Sequence, residues 1–230
     1  MSAVTAGLQA VRARIAAAAA ACGRDPREIT LLAVAKGHPA DALREAYRAG
    51  QRAFGESYAQ EGAAHAAASA DLAVEWHFIG PLQSNKTRGI AEHYAWVHSI
   101  DRLKIAERLS AARPEGLAPL NVCVQVNVGA ETTKGGVPPE EAAALAAQVA
   151  RLPRLKVRGL MTIPKPSADV TEQRHQFAVL RELLAALNAR GLALDTLSMG
   201  MSDDLEAAIA EGSTLVRVGS AIFGTRRPKP

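Results

Sequence analysis

The run Thr30-Leu31-Leu32-Ala33-Val34-Ala35-Lys36 decides the reading of the fold. It is a short apolar segment without alternation, the pattern of a strand covered on both faces in a parallel sheet. A lysine then stands at its C-terminal edge. Upstream, Leu8, Val11, Ile15, Ala18 and Cys22 fall at the spacing of one helix face and predict a helix over about 5–22. Gly23 stops that helix, and Asp25-Pro26 separates it from the strand.

Downstream, similar runs recur at 52–55, 74–79, 95–100, 120–128, 157–163, 194–199 and 214–218. Helical patterns lie between them. Pro39 marks a start and Gly50 a stop, and Pro138-Pro139-Glu140-Glu141 opens another helix. Phe177, Leu180, Leu184 and Leu187 share one face of the longest, which Gly191 caps. Ser202-Asp203-Asp204 reads as an N-cap followed by first-turn acids, with Gly212 closing that helix. Strands alternating with helices in this way predict a (β/α)8 TIM barrel with an extra N-terminal helix. A doubly wound open sheet is the alternative, because strand order is not written in one sequence. No GxGxxG follows the first strand, and polar residues stand just beyond the ends of many strands; both favour the barrel. With no linker or low-complexity tract, residues 1–230 are expected to form a single domain.

The 230 residues are 48% hydrophobic and 22% charged, an ordinary globular composition that excludes long disorder. Aromatics are only 4%, so alanine carries much of the apolar packing. Twenty-seven Lys+Arg against 23 Asp+Glu give a net charge of +4, but the basic residues are scattered. Only Arg226-Arg227-Pro228-Lys229 forms a cluster, too short to announce nucleic acid. Cys22 and Cys123 lie far apart with no CxxC partner, which excludes a disulfide scaffold and a cysteine-rich zinc site. No apolar stretch approaches a membrane span, and the first residues lack the pattern of a signal peptide. A cytoplasmic protein is expected.

In a barrel, ligands bind where strands end and βα loops begin. Those positions hold Lys36, Glu56-Ser57, Gly80 to Asn85, Asn127, Met161-Thr162, Ser198-Met199-Gly200 and Arg217 to Ser220, which are expected to converge. Lys36 has two readings. It is a lysine snorkelling from a strand end, or a partly desolvated amine, lowered in pKa and free to attack an aldehyde. Val218-Gly219-Ser220-Ala221-Ile222-Phe223-Gly224 also has two: a cap on a terminal helix, or a phosphate cradle after the eighth strand. Hydroxyls of Ser198, Ser202 and Ser220 would serve the second. Arg217 is either an ion-pair partner at the barrel mouth or a permanently charged donor to a ring nitrogen. His77 is either a satisfied core histidine or a residue facing the ligand. His38, His65, His93, His98 and His175 show no metal spacing and no nucleophile context. Lys134, in Thr133-Lys134-Gly135-Gly136, is a second candidate amine. An aldehyde-reactive lysine, a phosphate cradle and an arginine at a ring nitrogen together describe one cofactor, pyridoxal 5′-phosphate (PLP).

Six motifs carry a resemblance. They are Phe54-Gly55-Glu56-Ser57-Tyr58, Trp76 to Lys86 (WHFIGPLQSNK), Val97-His98-Ser99-Ile100-Asp101, Gly159-Leu160-Met161, Leu197 to Asp204 (LSMGMSDD) and Arg217 to Gly224 (RVGSAIFG). In order and across nearly the whole chain, they resemble the pyridoxal phosphate homeostasis protein family. That resemblance implies a barrel similar to the N-terminal domain of alanine racemase, the fold-type III arrangement. It implies a Schiff base on Lys36, Arg217 at the pyridine nitrogen, and phosphate held by Gly219, Ser220 and the segment from Ser198 through Met199 to Ser202. His77 and Asn127 would lie nearby. It also implies a carrier or regulator of vitamin B6 without established catalysis. Its expected partners are PLP and PLP-dependent apo-enzymes, with no nucleic acid or membrane, and monomer is the default. Alanine racemase draws a second acid/base tyrosine from a further β-domain, and the chain ending at Pro230 is expected to lack it. Two positions depart from the family pattern. Gly37 stands where a threonine commonly follows the lysine, and Ser57 where an asparagine commonly follows the glutamate. The alternatives are a PLP-dependent racemase or decarboxylase of the same fold, and a barrel using Lys36 on a sugar-phosphate aldehyde.

Overall fold

In the computed structural model, which describes residues 2–129 and 135–225, strand β1 (Thr30–Val34) pairs in parallel with both β2 (Ala53–Glu56) and β8 (Leu215–Val218). Between them run β3 (Glu75–Phe78), β4 (Trp96–Ile100), β5 (Leu120–Gln125), β6 (Leu155–Met161) and β7 (Thr196–Ser198). Each strand is parallel to its neighbours, and the sheet closes in sequence order. That closure decides for the (β/α)8 barrel over the open sheet. Most strands begin and end within two residues of the stretches read from sequence. The fifth stops at Gln125 instead of reaching 128; Val126 still donates to Met161 O of β6, but beyond it the pairing passes to an isolated bridge with Val137.

Outside the barrel lie α2 (Ala40–Arg48), α3 (Ala59–Ala68), α4 (Thr87–His93), α5 (Leu103–Ala112), α6 (Pro139–Val149), α7 (Val170–Ala189), α8 (Leu205–Ala210) and α9 (Ser220–Phe223). The additional helix α1 (Ala3–Ala21) packs on α2, α8 and α9. No described helix is long and apolar enough to cross a membrane.

Strand alternation sorts the side chains into two layers. Outward residues such as Ala33, Phe54, Phe78, Val97, Val122 and Leu160 join the buried helix faces in one apolar cluster. Inward residues form two smaller ones: Leu32, Ala53 and Leu215 on one side, Trp96, Cys123 and Met161 on the other. The remaining interior is polar, with His77, His98, Ser198 and Arg217 all buried. Leu8, Val11 and Ile15 of α1 are buried too. At roughly 2 kcal/mol per buried aliphatic side chain, they fix this helix to the barrel.

One expected cap is corrected. Helix α8 starts at Leu205 with Asp204 at its N-cap, not at Ser202, and the Asp204 carboxylate turns back to accept from the Met201 N–H at 2.6 Å. Ser202 is thereby left out of the helix with its hydroxyl free to face another element.

Candidate functional site

The closing seam positions the amine. Ala33 of β1 is aligned with Val218 of β8, so the residues following each strand emerge side by side. Gly219 lies so near β1 that a Cβ there would stand 3.2 Å from the Val34 carbonyl oxygen. Ala35 N–H still donates to Gly55 O at 3.0 Å, carrying the extended backbone to the edge of Lys36. Lys36 continues the alternation of inward-facing Leu32 and is half-buried at the C-terminal mouth. Gly37 then takes φ +76, a left-handed conformation that glycine adopts at no steric cost, and the chain turns with His38 N–H donating to Ala35 O. The glycine that departs from the family pattern thus occupies a position that suits it.

At the same end of the barrel, two hydroxyls meet. Ser202 Oγ and Ser220 Oγ stand 3.3 Å apart, although they come from different βα loops. The Ser202 segment is anchored from α1, where Arg14 Nη2 donates to the Ser202 carbonyl at 2.9 Å and Arg14 pairs with Glu206. The Ser220 and Ala221 amides open α9, whereas those of Ile222 and Phe223 already donate to Gly219 O. Met199 does not share this site through its side chain, which is fully buried in the outer apolar layer.

Arg217 lies inside the barrel at 4% exposure. Its Nη1 donates to Ser198 O at 2.6 Å and to Ser198 Oγ at 2.8 Å, and its Nη2 donates to Thr162 O at 2.9 Å. Nε makes no hydrogen bond among the described residues. Burial pushes the guanidinium pKa down to about 10, with Asp204 opposing, so the group stays cationic at neutral pH. Its described partners are neutral oxygens and none is a carboxylate, so it is not the ion-pair clasp that was one of its two readings. Ser198, expected near the phosphate, instead spends its hydroxyl beneath Arg217.

His77 faces the interior as expected, but from the half nearer the N-terminal mouth. Its Nε2 is 2.8 Å from Glu75 Oε1 and its Nδ1 is 2.9 Å from His98 Nε2. His98 Nδ1 is 2.8 Å from Ser198 Oγ. Burial lowers the pKa of both imidazoles. Glu75 and His98 were not singled out from sequence. Their signal is period-two polarity on inward faces: 75 and 77 on one strand, 98 on the next, 198 and 217 across the barrel.

Asn127 follows β5 at the C-terminal end, its N–H donating to Val137 O at 2.9 Å. Thr162 Oγ1 donates to Val126 O beside it. Glu56, expected among the converging mouth residues, does not join them. As an even member of β2 it points outward and is fully buried against α3, where His65 Nδ1 lies 2.7 Å from its Oε1. Lys134 and the cluster 226–229 lie outside the described residues.

Comparison with known proteins fits this geometry. The family described as Alanine racemase, N-terminal domain, matches residues 7–227, and the chain belongs to it. Within it the chain is a member of the pyridoxal phosphate homeostasis protein family. It is 60% identical over 226 residues to the protein of that name from Pseudomonas aeruginosa, covering 98% of this chain and 97% of the relative. It is 54% identical over 232 residues to that of Escherichia coli strain K12, covering 98% of each. Among solved structures, PipY of Synechococcus elongatus with PLP bound superposes with a TM-score of 0.84 at 38% identity, over 96% of this chain and 100% of that one. Alanine racemase from Corynebacterium glutamicum, at 17% identity and a TM-score of 0.72, covers 95% of this chain and 62% of its own and shares the fold.

Proposed function

We propose that this chain binds pyridoxal 5′-phosphate and serves intracellular vitamin B6 homeostasis, holding the cofactor and releasing it without turning over a substrate. The observation that carries the reading is the seam register. It brings Val34 alongside Gly219, so that the loops carrying Lys36 and Ser220 leave the same edge of the barrel, with Arg217 two residues before Gly219 in β8. The donor set suits each part of the molecule. Lys36 supplies the amine for a Schiff base with the aldehyde. Ser202, Ser220 and the Gly219 backbone supply donors for the phosphate. Arg217 Nε, uncommitted to a described protein acceptor, suits the pyridine nitrogen. The serine pair has no evident structural duty, and Gly219 keeps its backbone open to close approach.

PLP acts as an electron sink when its ring nitrogen is protonated. A guanidinium that stays charged and is already held by three hydrogen bonds donates to that nitrogen and does not surrender a proton to it. This arrangement supports holding over catalysis, and so do the names of the relatives. In this reading residues 1–230 act as one PLP-binding unit in the cytoplasm, a monomer that passes the cofactor to PLP-dependent apo-enzymes. Ser198 and His77 support Arg217 from below, Met199 contributes through its backbone, and Asn127 lines the mouth.

The test is the visible spectrum of the purified protein incubated with PLP, before and after borohydride. The wild type is expected to show an imine band that reduction fixes covalently, and Lys36→Ala to lose it. An unchanged band in that variant places the covalent site elsewhere. A screen of amino acids tests the racemase or decarboxylase alternative; turnover at ordinary enzyme rates overturns the carrier reading.

A further inference from the structure

Five buried or half-buried groups run in single file through the barrel, from the N-terminal mouth to the site. Glu75 Oε1, His77, His98, Ser198 Oγ and Arg217 Nη1 are linked by successive contacts of 2.8, 2.9, 2.8 and 2.8 Å. They come from β3, β4, β7 and β8, so no local sequence constraint brings them together. Trp96 stacks on His77 at 5.3 Å with 5° between the planes, walling one side of the file.

The ends fix its direction. A guanidinium only donates and an ionised carboxylate only accepts. Arg217 donates to Ser198 Oγ, so the serine proton is left for His98 Nδ1. His98 must then carry its proton on Nε2 and donate it to His77 Nδ1. His77 in turn carries its proton on Nε2 and donates to Glu75. Every contact is satisfied once, with both imidazoles neutral and in the same tautomer. Reversing the file would need a protonated Glu75 or an imidazolium at His77, and would leave the serine hydrogen without an acceptor in it. The lowered pKa values of both histidines, caused by burial, agree with the neutral forms.

We propose that Glu75, His77, His98 and Ser198 are positioning residues for Arg217: a one-directional hydrogen-bond file that sets the orientation of the guanidinium and couples the charge of Glu75, at one mouth of the barrel, to the group bound at the other. The inference rests on the PLP reading for its second half only; the file itself belongs to the protein alone. Aligned hydrogen bonds in a low-dielectric interior polarise one another, which lets a half-exposed carboxylate act on a site it does not touch. Other charges face the file. Arg158 lies over the Trp96 ring at 4.8 Å, pairs with Asp195 at the same mouth and favours the charge on Glu75, Glu28 lines the mouth cavity, and Asp204 acts on Arg217. None of them is hydrogen-bonded to a member of the file among the described residues, so they supply background and not connection.

The test has two arms. In the first, protein labelled with 15N in its imidazoles is observed without cofactor near neutral pH. His77 and His98, assigned by single replacement, are expected as neutral Nε2–H tautomers. An Nδ1–H tautomer or an imidazolium at either position overturns the file. In the second, the pH midpoint of the visible band is measured on the PLP-loaded fraction of Glu75→Gln and of Glu28→Gln. Glutamine at 75 keeps an acceptor oxygen and removes the charge. The loss of negative charge leaves the site more positive, so the midpoint is expected to fall by about half a pH unit, a roughly threefold change in proton affinity. The Glu28→Gln midpoint is expected to stay in place, because Glu28 shares the mouth but not the file. Equal shifts in the two variants, or none in Glu75→Gln, overturn the coupling. Failure of the wild type to form any band refutes the PLP reading and leaves the first arm standing.

Discussion

Gly7 of α1 lies against the carbonyl oxygens of Ala221 and Ile222 in α9, and a Cβ built on it would stand 2.7 Å from each. The added helix therefore seats directly on the short helix that carries Ser220. A side chain at position 7 has to push the two apart, at about 1–3 kcal/mol for an overpacked contact. Gly7→Val is expected to lower the melting temperature and to weaken PLP binding in a titration. Gly89 in α4 is the control, since nothing lies within 4 Å of a Cβ there. Gly89→Ala is expected to raise stability by about 0.5–1 kcal/mol through helix propensity, with binding unchanged.

The serine pair predicts selectivity for the phosphate. Hydrogen bonds to a charged group contribute about 1.5–3 kcal/mol each, so Ser220→Ala and Ser202→Ala are each expected to weaken PLP binding by roughly tenfold or more. Affinity for pyridoxal, which lacks the phosphate, is expected to change little. Equal losses for both ligands would show that the serines act on the fold instead.

His65 predicts a pH dependence. Its Nδ1 stands 2.7 Å from Glu56 Oε1 and its Nε2 3.0 Å from the His38 carbonyl oxygen, two acceptors that only the imidazolium satisfies together. The bond His65 donates to Glu56 raises the His65 pKa against the opposing effect of burial. Burial raises that of Glu56, against the bond from His65. Both folded values lie above their unfolded ones. The His65 contribution is therefore complete below the unfolded imidazole value, roughly 6.5, and is lost as pH rises through the folded value. The Glu56 contribution has the same sign and is lost earlier, from about the unfolded carboxyl value upward. The turn after Lys36 is tied down through His38, so amide exchange at Gly37 and His38, corrected for its intrinsic pH dependence, is expected to lose protection on the alkaline side. His65→Gln is expected to abolish that dependence.

The cysteines predict a chemical asymmetry. Cys22 is exposed at the end of α1, whereas Cys123 is buried in the barrel interior, where burial pushes its thiol up to about 12. Iodoacetamide is expected to modify Cys22 alone in the native protein and both thiols in denaturant, as read by mass. Modification of native Cys123 at a comparable rate would contradict the closed interior.

The barrel was legible because its strands are short apolar runs and its helices carry ordinary stops. Lys36, Gly219 and Ser220 could be assigned from sequence to one end of the barrel because strand ends in a barrel converge by topology. Glu56 misled because it too ends a strand. Parity sends it outward to α3, and one residue of register separates a mouth side chain from a helix-facing one. His98 was passed over because its partners, His77 and Ser198, sit on strands distant in sequence. Only the closed geometry shows that such inward positions touch. Ser198 was assigned to the phosphate by proximity along the chain, yet alternation turns it down into the interior beneath Arg217.

The seam between β1 and β8 has a consequence for biosynthesis. Lys36 leaves the ribosome long before Arg217 and Ser220 have been translated, and β8, the strand that brings them alongside, is the last of the barrel to be synthesised. A nascent or truncated chain lacks the β8 side of that seam, so in the proposed reading capture of the vitamin waits until the barrel can close.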